Sequence, residues 1–213
     1  VTLRSSDPSD PNVVAATIID GEDTRRGIAC FNEETSSTLI DGFTITNGFA
    51  DVFDYDGDSE IDWFEEGGGG LICWKSSPTA KNCVIDNNHV IGAGLEGGGA
   101  ILVESNPSLQ NCVLSNNSAS WGGAMYCWAS SPSIIDCSFI NNNASSAGGI
   151  RCKASSNLTL TNTIFINNTV DNDGGAIHCD TSAPTLTNCT FTDNTAGDDG
   201  GGIFFDESDA IVT

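Results

Sequence analysis

The sequence predicts an all-β solenoid of about eight stacked coils, each about 26 residues long and each supplying three short strands. Three observations predict it. A glycine phrase followed by a small or apolar residue returns every ~26 residues, opening segments at Gly68, Gly97, Gly122, Ala147, Gly174 and Gly200. A period of that length marks stacked units, none of which can bury its apolar face alone. Within each segment apolar residues alternate with polar ones, the strand period, and no stretch sustains a 3.6-residue period. An asparagine pair, Asp-Asn in the last case, follows the third strand in five of the six segments.

The first strand of each coil is read from Leu71-x-Cys73, Ala100-x-Leu102, Met125-x-Cys127, Ile150-x-Cys152, Ile177-x-Cys179 and Ile203-x-Phe205. The second has a single inward residue, in turn Ala80, Leu109, Ile134, Leu160 and Leu186. The third is Cys83-x-Ile85, Cys112-x-Leu114, Cys137-x-Phe139, Thr163-x-Phe165 and Cys189-x-Phe191. The pairs Asn87-Asn88, Asn116-Asn117, Asn141-Asn142, Asn167-Asn168 and Asp193-Asn194 follow. Asparagine tolerates left-handed backbone and bonds nearby main chain, so it suits a tight bend, and stacked copies can form amide ladders. A second polar column (Asn82, Asn111, Asp136, Asn162, Asn188) precedes the third strand.

These motifs resemble the right-handed parallel β-helix, or pectin-lyase-like, superfamily. The closest likeness is to the adhesin-type repeats of polymorphic outer-membrane proteins. Gly98-Gly99-Ala100-Ile101 and Gly174-Gly175-Ala176-Ile177 carry it, with Phe139-Ile140-Asn141-Asn142 and Phe165-Ile166-Asn167-Asn168. The resemblance implies the fold strongly and an activity hardly at all.

Three regions are expected. Residues 1–48 read as two looser coils: Ala16–Gly21 is a strand and turn, Leu39–Asn47 repeats the third column, and Asp7–Pro11 is a loop because two prolines break any ladder. Residues 49–67 are an acidic insertion, and 68–213 are the regular repeats. Val1 falls inside a strand-like Val-Thr-Leu and the chain stops in Ala-Ile-Val-Thr, so a piece of a longer chain is expected. Flanking domains or other copies of the chain would then cover its ends.

Seven Lys+Arg against 29 Asp+Glu give a formal charge of −22, which argues against nucleic-acid and anionic-membrane partners. No apolar run reaches the ~18 residues of a membrane span. An extracellular or cell-surface location is expected. Eight of the nine cysteines fall in inward columns, where they alternate with Leu, Phe and Thr as small hydrophobes. They read as buried free thiols, with inter-coil disulfides as the alternative.

The insertion contains the candidate metal ligands. Counting Asp54 as position 1, Asp54, Asp56, Asp58, Glu60, Asp62 and Glu65 fall at 1, 3, 5, 7, 9 and 12, the spacing of an EF-hand calcium loop. Ser59 stands where that loop's turn glycine belongs, and no flanking helices are evident. A Ca²⁺-ordered loop is the expectation, against a solvated acidic loop. Asp171, Asp173, Asp198 and Asp199 form a weaker grouping that reads mainly as turn formers.

Alternation places Ile72, Trp74, Ile101, Tyr126, Trp128, Arg151 and Lys153 on the outer side of the first strands as a candidate binding surface. Such a stripe could stack on sugar rings, pack against another protein, or lie beneath Trp63 and Phe64 of the insertion. No catalytic residue is assigned; Asp180 and Asp206, beside His178, are the best carboxylate pair. The function expected is a non-catalytic structural or adhesive extracellular module of a surface or filament-forming protein. A carbohydrate-active β-helix or glycan-binding module, with extracellular polysaccharide as partner, is the alternative.

Overall fold

In the computed structural model, residues 1–31, 33–50, 67–90 and 96–213 are described, and they form a solenoid of parallel strands. The first sheet stacks seven strands: Ile28–Cys30, Leu71–Trp74, Ala100–Val103, Met125–Trp128, Ile150–Lys153, Ile177–Asp180 and Ile203–Asp206. The second stacks eight, from Thr2–Arg4 through Ser133–Ile135 to Ile211–Val212. The third stacks seven, from Ile18–Asp20 through Ser138–Ile140 to Thr190–Thr192. Seven strands in two walls and eight in the other correspond to about seven full turns.

Register is kept from coil to coil, so like meets like. Phe139 pairs with Phe165 and Phe165 with Phe191. Their rings stack at 4.8 and 5.0 Å, with interplanar angles of 13° and 5°. That column forms part of one continuous core with Leu71, Cys73, Leu102, Cys127, Leu109, Ile134 and Leu160. Burying a side chain of this size contributes about 2 kcal/mol, and the stack repeats the contribution at every turn.

The asparagine pairs divide two tasks between them. The first member takes positive φ at the bend: Asn87 (53°), Asn116 (53°), Asn141 (56°) and Asn167 (53°). The second member turns inward and is buried at Asn88, Asn117, Asn142 and Asn168. There Asn117 Oδ1 accepts from the backbone and side-chain nitrogens of Asn88, both at 3.0 Å, while its Nδ2 donates to the Ile85 carbonyl at 2.9 Å. Asn142, Asn168 and Asn194 continue the ladder. A serine ladder runs at another corner, each backbone N–H donating to the next coil's hydroxyl: Ser76 to Ser105, Ser105 to Ser130, Ser130 to Ser156, Ser156 to Ser182 and Ser182 to Ser208, at 3.0–3.1 Å. These ladders satisfy polar groups that a narrow solenoid would otherwise bury unpaired.

Two local expectations are corrected. Asp7–Pro11 does not remain loop throughout. A short helix spans Pro11–Ala16, its start capped by Asp10, whose side chain accepts from Asn12 N. Asp-Pro is a natural helix opening, because proline at the first position lacks only an N–H that would be unsatisfied anyway. Ala16 therefore ends a helix, and the strand begins at Ile18. In addition, four coils carry a fourth strand after the asparagine bend: Ser118–Trp121, Asn143–Ser146, Thr169–Val170 and Thr195–Ala196.

Candidate functional site

The fourth strands decide the chemistry of the outer face. Each is followed by the glycine turn, which leads into the next first-sheet strand. The turn crosses over that strand's own outward residue. A Cβ on Gly174 would meet the His178 Cβ at 2.7 Å, and one on Gly68 would meet Ile72 of its own strand at 3.1 Å and Ile101 of the next coil at 2.5 Å. At Gly174 φ is +73°, a value that favours glycine.

The predicted binding stripe thus divides into two rows. Ile72, Ile101 and Tyr126 are buried, at 0%, 0% and 1% exposure, in an apolar cluster of their own with Val103, packed by Phe31, Trp74, Trp121 and Trp128. The expectation that these three face a partner is corrected: period-two alternation sets the direction of a side chain, but the turn above decides its exposure. Trp121 stacks on Tyr126 at 6.3 Å and 25°. Trp74, Trp128, Arg151 and Lys153 are half-buried.

Where the apolar row ends, a polar cluster begins. Tyr126 pairs in register with Arg151, and Arg151 with His178. Arg151 donates to Ser146 Oγ at 3.0 Å, and Ser146 Oγ lies 3.0 Å from His178 Nδ1. Arg151 and Lys153 each approach the Asp180 carboxylate at 3.6 Å. Lys153 Nζ also lies 5.3 Å from the centre of the Trp121 ring, within cation–π reach.

Burial and the neighbouring Arg151 push the pKa of His178 down to about 4, so its ring is neutral at pH 7. Ser146 Oγ accepts from Arg151 and shares a hydrogen bond with His178 Nδ1 whose direction follows the imidazole tautomer, and the His178 ring also has a backbone hydrogen bond at Asp173. Burial is likewise the largest influence lowering the Arg151 pKa, with Asp180 opposing it, and burial followed by Glu96 pushes the Tyr126 phenol up. The serine–histidine pair has no room for a substrate: Ser146 is 8% and His178 6% exposed. The pair joins a fourth strand to the first sheet, and its polar atoms are occupied in doing so.

Among the described residues the carboxylate pair read from sequence is placed on the first sheet. Asp180 and Asp206 are register partners on adjacent strands of one face, about 4.8 Å apart along the stack. Asp180 is also held by Arg151 and Lys153, each at 3.6 Å. A recess of about 330 Å³ lies elsewhere, between the N-terminal helix and the outer side of the third sheet, and Pro11, Val14, Val84 and Val113 help line it. It has no charged lining residue.

Among the described residues, no group of three or more His, Cys, Asp or Glu is placed to hold a metal ion, Asp171, Asp173, Asp198 and Asp199 included. The calcium-loop residues Asp54, Asp56, Asp58, Glu60, Asp62 and Glu65, together with Trp63 and Phe64, lie outside the described residues. Among the described residues no helix is long and apolar enough to cross a membrane.

The family model for the right-handed β-helix region matches residues 26–213. The chain belongs to the right-handed β-helix family. The match includes the coil containing Leu39–Asp41 as well as the glycine-marked repeats. Comparison with curated proteins and with solved structures gives no match.

Sequence reasoning missed Ser146: its register partner on the preceding coil is Trp121, so no serine repeats in that column to mark it. The serine ladder was open to detection, because Ser76, Ser105, Ser130, Ser156, Ser182 and Ser208 recur at the coil period.

Proposed function

We propose that this β-helix is a non-catalytic structural and adhesive module of the cell exterior, part of a larger surface or filament-forming protein. Its contact surface would be the outer row Trp74, Trp128 and Lys153. The observation that carries this reading is the internal neutralisation of the polar cluster: Asp180 is held between Arg151 and Lys153, and Ser146 and His178 bond each other beneath the turn. A charged group committed in this way supports architecture and recognition better than bond cleavage. An acidic exterior suits a long, hydrated object, and the buried Asn and Ser ladders tie its coils together.

Lys153 beside Trp121, near Trp128, favours glycan binding as a second reading, since aromatic faces stack on sugar rings while a cation meets acidic substituents. Incubation with pectin and alginate tests both. The expected result is no unsaturated or shortened product. Retardation in a polysaccharide gel that is lost in Trp128→Ala would support the glycan reading, whereas product formation would overturn the non-catalytic one.

A further inference from the structure

The cysteines are distributed by a rule that hydrophobic packing alone does not require. The first inward column reads Cys30, Cys73, Leu102, Cys127, Cys152, Cys179 up the stack. The second, immediately before the third-sheet strands, reads Cys83, Cys112, Cys137, Thr163, Cys189. Leu102 interrupts the first column where the second holds thiols, and Thr163 interrupts the second where the first holds them. Across six successive coils, every one of the five steps therefore carries one facing pair: Cys30 and Cys73, Cys83 and Cys112, Cys112 and Cys137, Cys127 and Cys152, Cys152 and Cys179. All nine are free thiols in the structure, and each pair is set opposite by strand register. Cys30 with Cys73, Cys127 with Cys152 and Cys152 with Cys179 are paired directly. Cys83, Cys112 and Cys137 are the residues immediately before the paired Val84, Val113 and Ser138, with Cys112 N donating to Cys137 Sγ at 3.4 Å.

We propose that these columns are sites of inter-coil disulfide formation, with one bond closing within each run of facing thiols. Parallel neighbours lie about 4.8 Å apart, inside the Cα window of roughly 4.4–6.8 Å that a disulfide spans. The pair Cys30 and Cys73 forms one bond, and each run of three forms one more, because its middle cysteine can join either neighbour but not both. The oxidised chain then holds three bonds. Cys189 stays free, since Thr163 stands below it in its column.

The chemistry is thiol–disulfide exchange with a small-molecule disulfide such as glutathione disulfide. A thiolate displaces one half of the reagent, forming a mixed disulfide, and the facing cysteine displaces the other half. Two thiol protons and two electrons leave the protein, and the reagent departs as two thiols. Before the coils close, every thiol is open to the reagent, and any of them can attack first. In the folded chain Cys73, Cys127, Cys152 and Cys179 are fully buried. Oxidation therefore accompanies folding and does not follow it.

The test is to refold the reduced, denatured chain in a glutathione redox buffer, alkylate remaining thiols, and map the bonds by non-reducing peptide mass spectrometry. Loss of two hydrogens per bond is expected, at Cys30–Cys73 and at neighbouring pairs within each run. Cys112→Thr, which introduces the side chain that Thr163 already places in the same column, abolishes the second-column bond, and Cys152→Ala abolishes that of the upper first column. Cys83→Ala and Cys127→Ala retain theirs by using the other neighbour. A refolded chain with native circular dichroism and every thiol alkylated would overturn the proposal. So would bonds joining the two columns, or a second-column bond surviving in Cys112→Thr. None of these outcomes depends on whether the outer face binds a partner.

Discussion

Immediately after six of the seven first-sheet strands the chain places a residue in left-handed backbone: Lys75, Glu104, Ala129, Ala154, Thr181 and Glu207, with φ between 45° and 57°. None is glycine or asparagine. Thr181 is the most strained, because a β-branched side chain at positive φ crowds its own backbone. It is also exposed, so little packing is lost on its removal. Thr181→Gly is expected to stabilise the fold by about 1 kcal/mol, net of the added chain entropy, measured as a higher urea midpoint. His178 supplies a pH dependence. Its folded pKa of about 4 lies below the ordinary 6.5, so the folded state binds fewer protons than the unfolded state between those values. The resulting stability is present above pH 6.5 and is lost as pH falls toward 4. Replacing His178 with Phe, the residue that its register partner Phe204 already provides, should flatten the change in urea midpoint between pH 7 and pH 4.5.

A single strand of three or four residues has little stability of its own; the ladders between elements hold the coil in place. Asn142 shows how much passes through one rung. It accepts from both nitrogens of Asn117 and donates to the Leu114 carbonyl at 2.9 Å and to Asn168 at 2.9 Å. Asn142→Ala strands several of these groups where water does not reach them. At roughly 1–3 kcal/mol for each unsatisfied group, a loss of about 3 kcal/mol or more is expected, visible as a lower melting temperature. The exposed Asn141 beside it should tolerate Gly with little change, since its task is the bend and its φ of 56° suits either residue. An equal loss from both substitutions would mean that the buried amide is not the stabilising member. The repeated Asn pair was legible in sequence, but which member turned inward depended on the twist of the bend.

Over the whole molecule, charge opposes the fold: 29 acidic residues against seven basic ones repel along a thin rod. Six of those carboxylates fall between Asp54 and Glu65, at the spacing of a calcium loop. Ca²⁺ is expected to bind there, to raise the melting temperature and to be reversed by a chelator. Calorimetry on Asp56→Asn combined with Asp58→Asn checks it, and an unchanged heat of binding in that variant would assign the ion to another site.

The sequence by itself determined the stacking, the three inward columns, the coil length and the bends. Each of these follows from a side chain's direction relative to its own backbone, and repetition amplifies that signal. Tertiary structure alone decided what became of the outward residues. Tyr126 and Ile101 alternate outward like Trp128, yet they are buried because glycine turns close over Ile101 and Trp121, the last residue of a fourth strand, stacks on Tyr126. Ser146, Arg151 and His178 meet for the same reason: exposure and partnership depend on the neighbouring coil, from which no local period carries information.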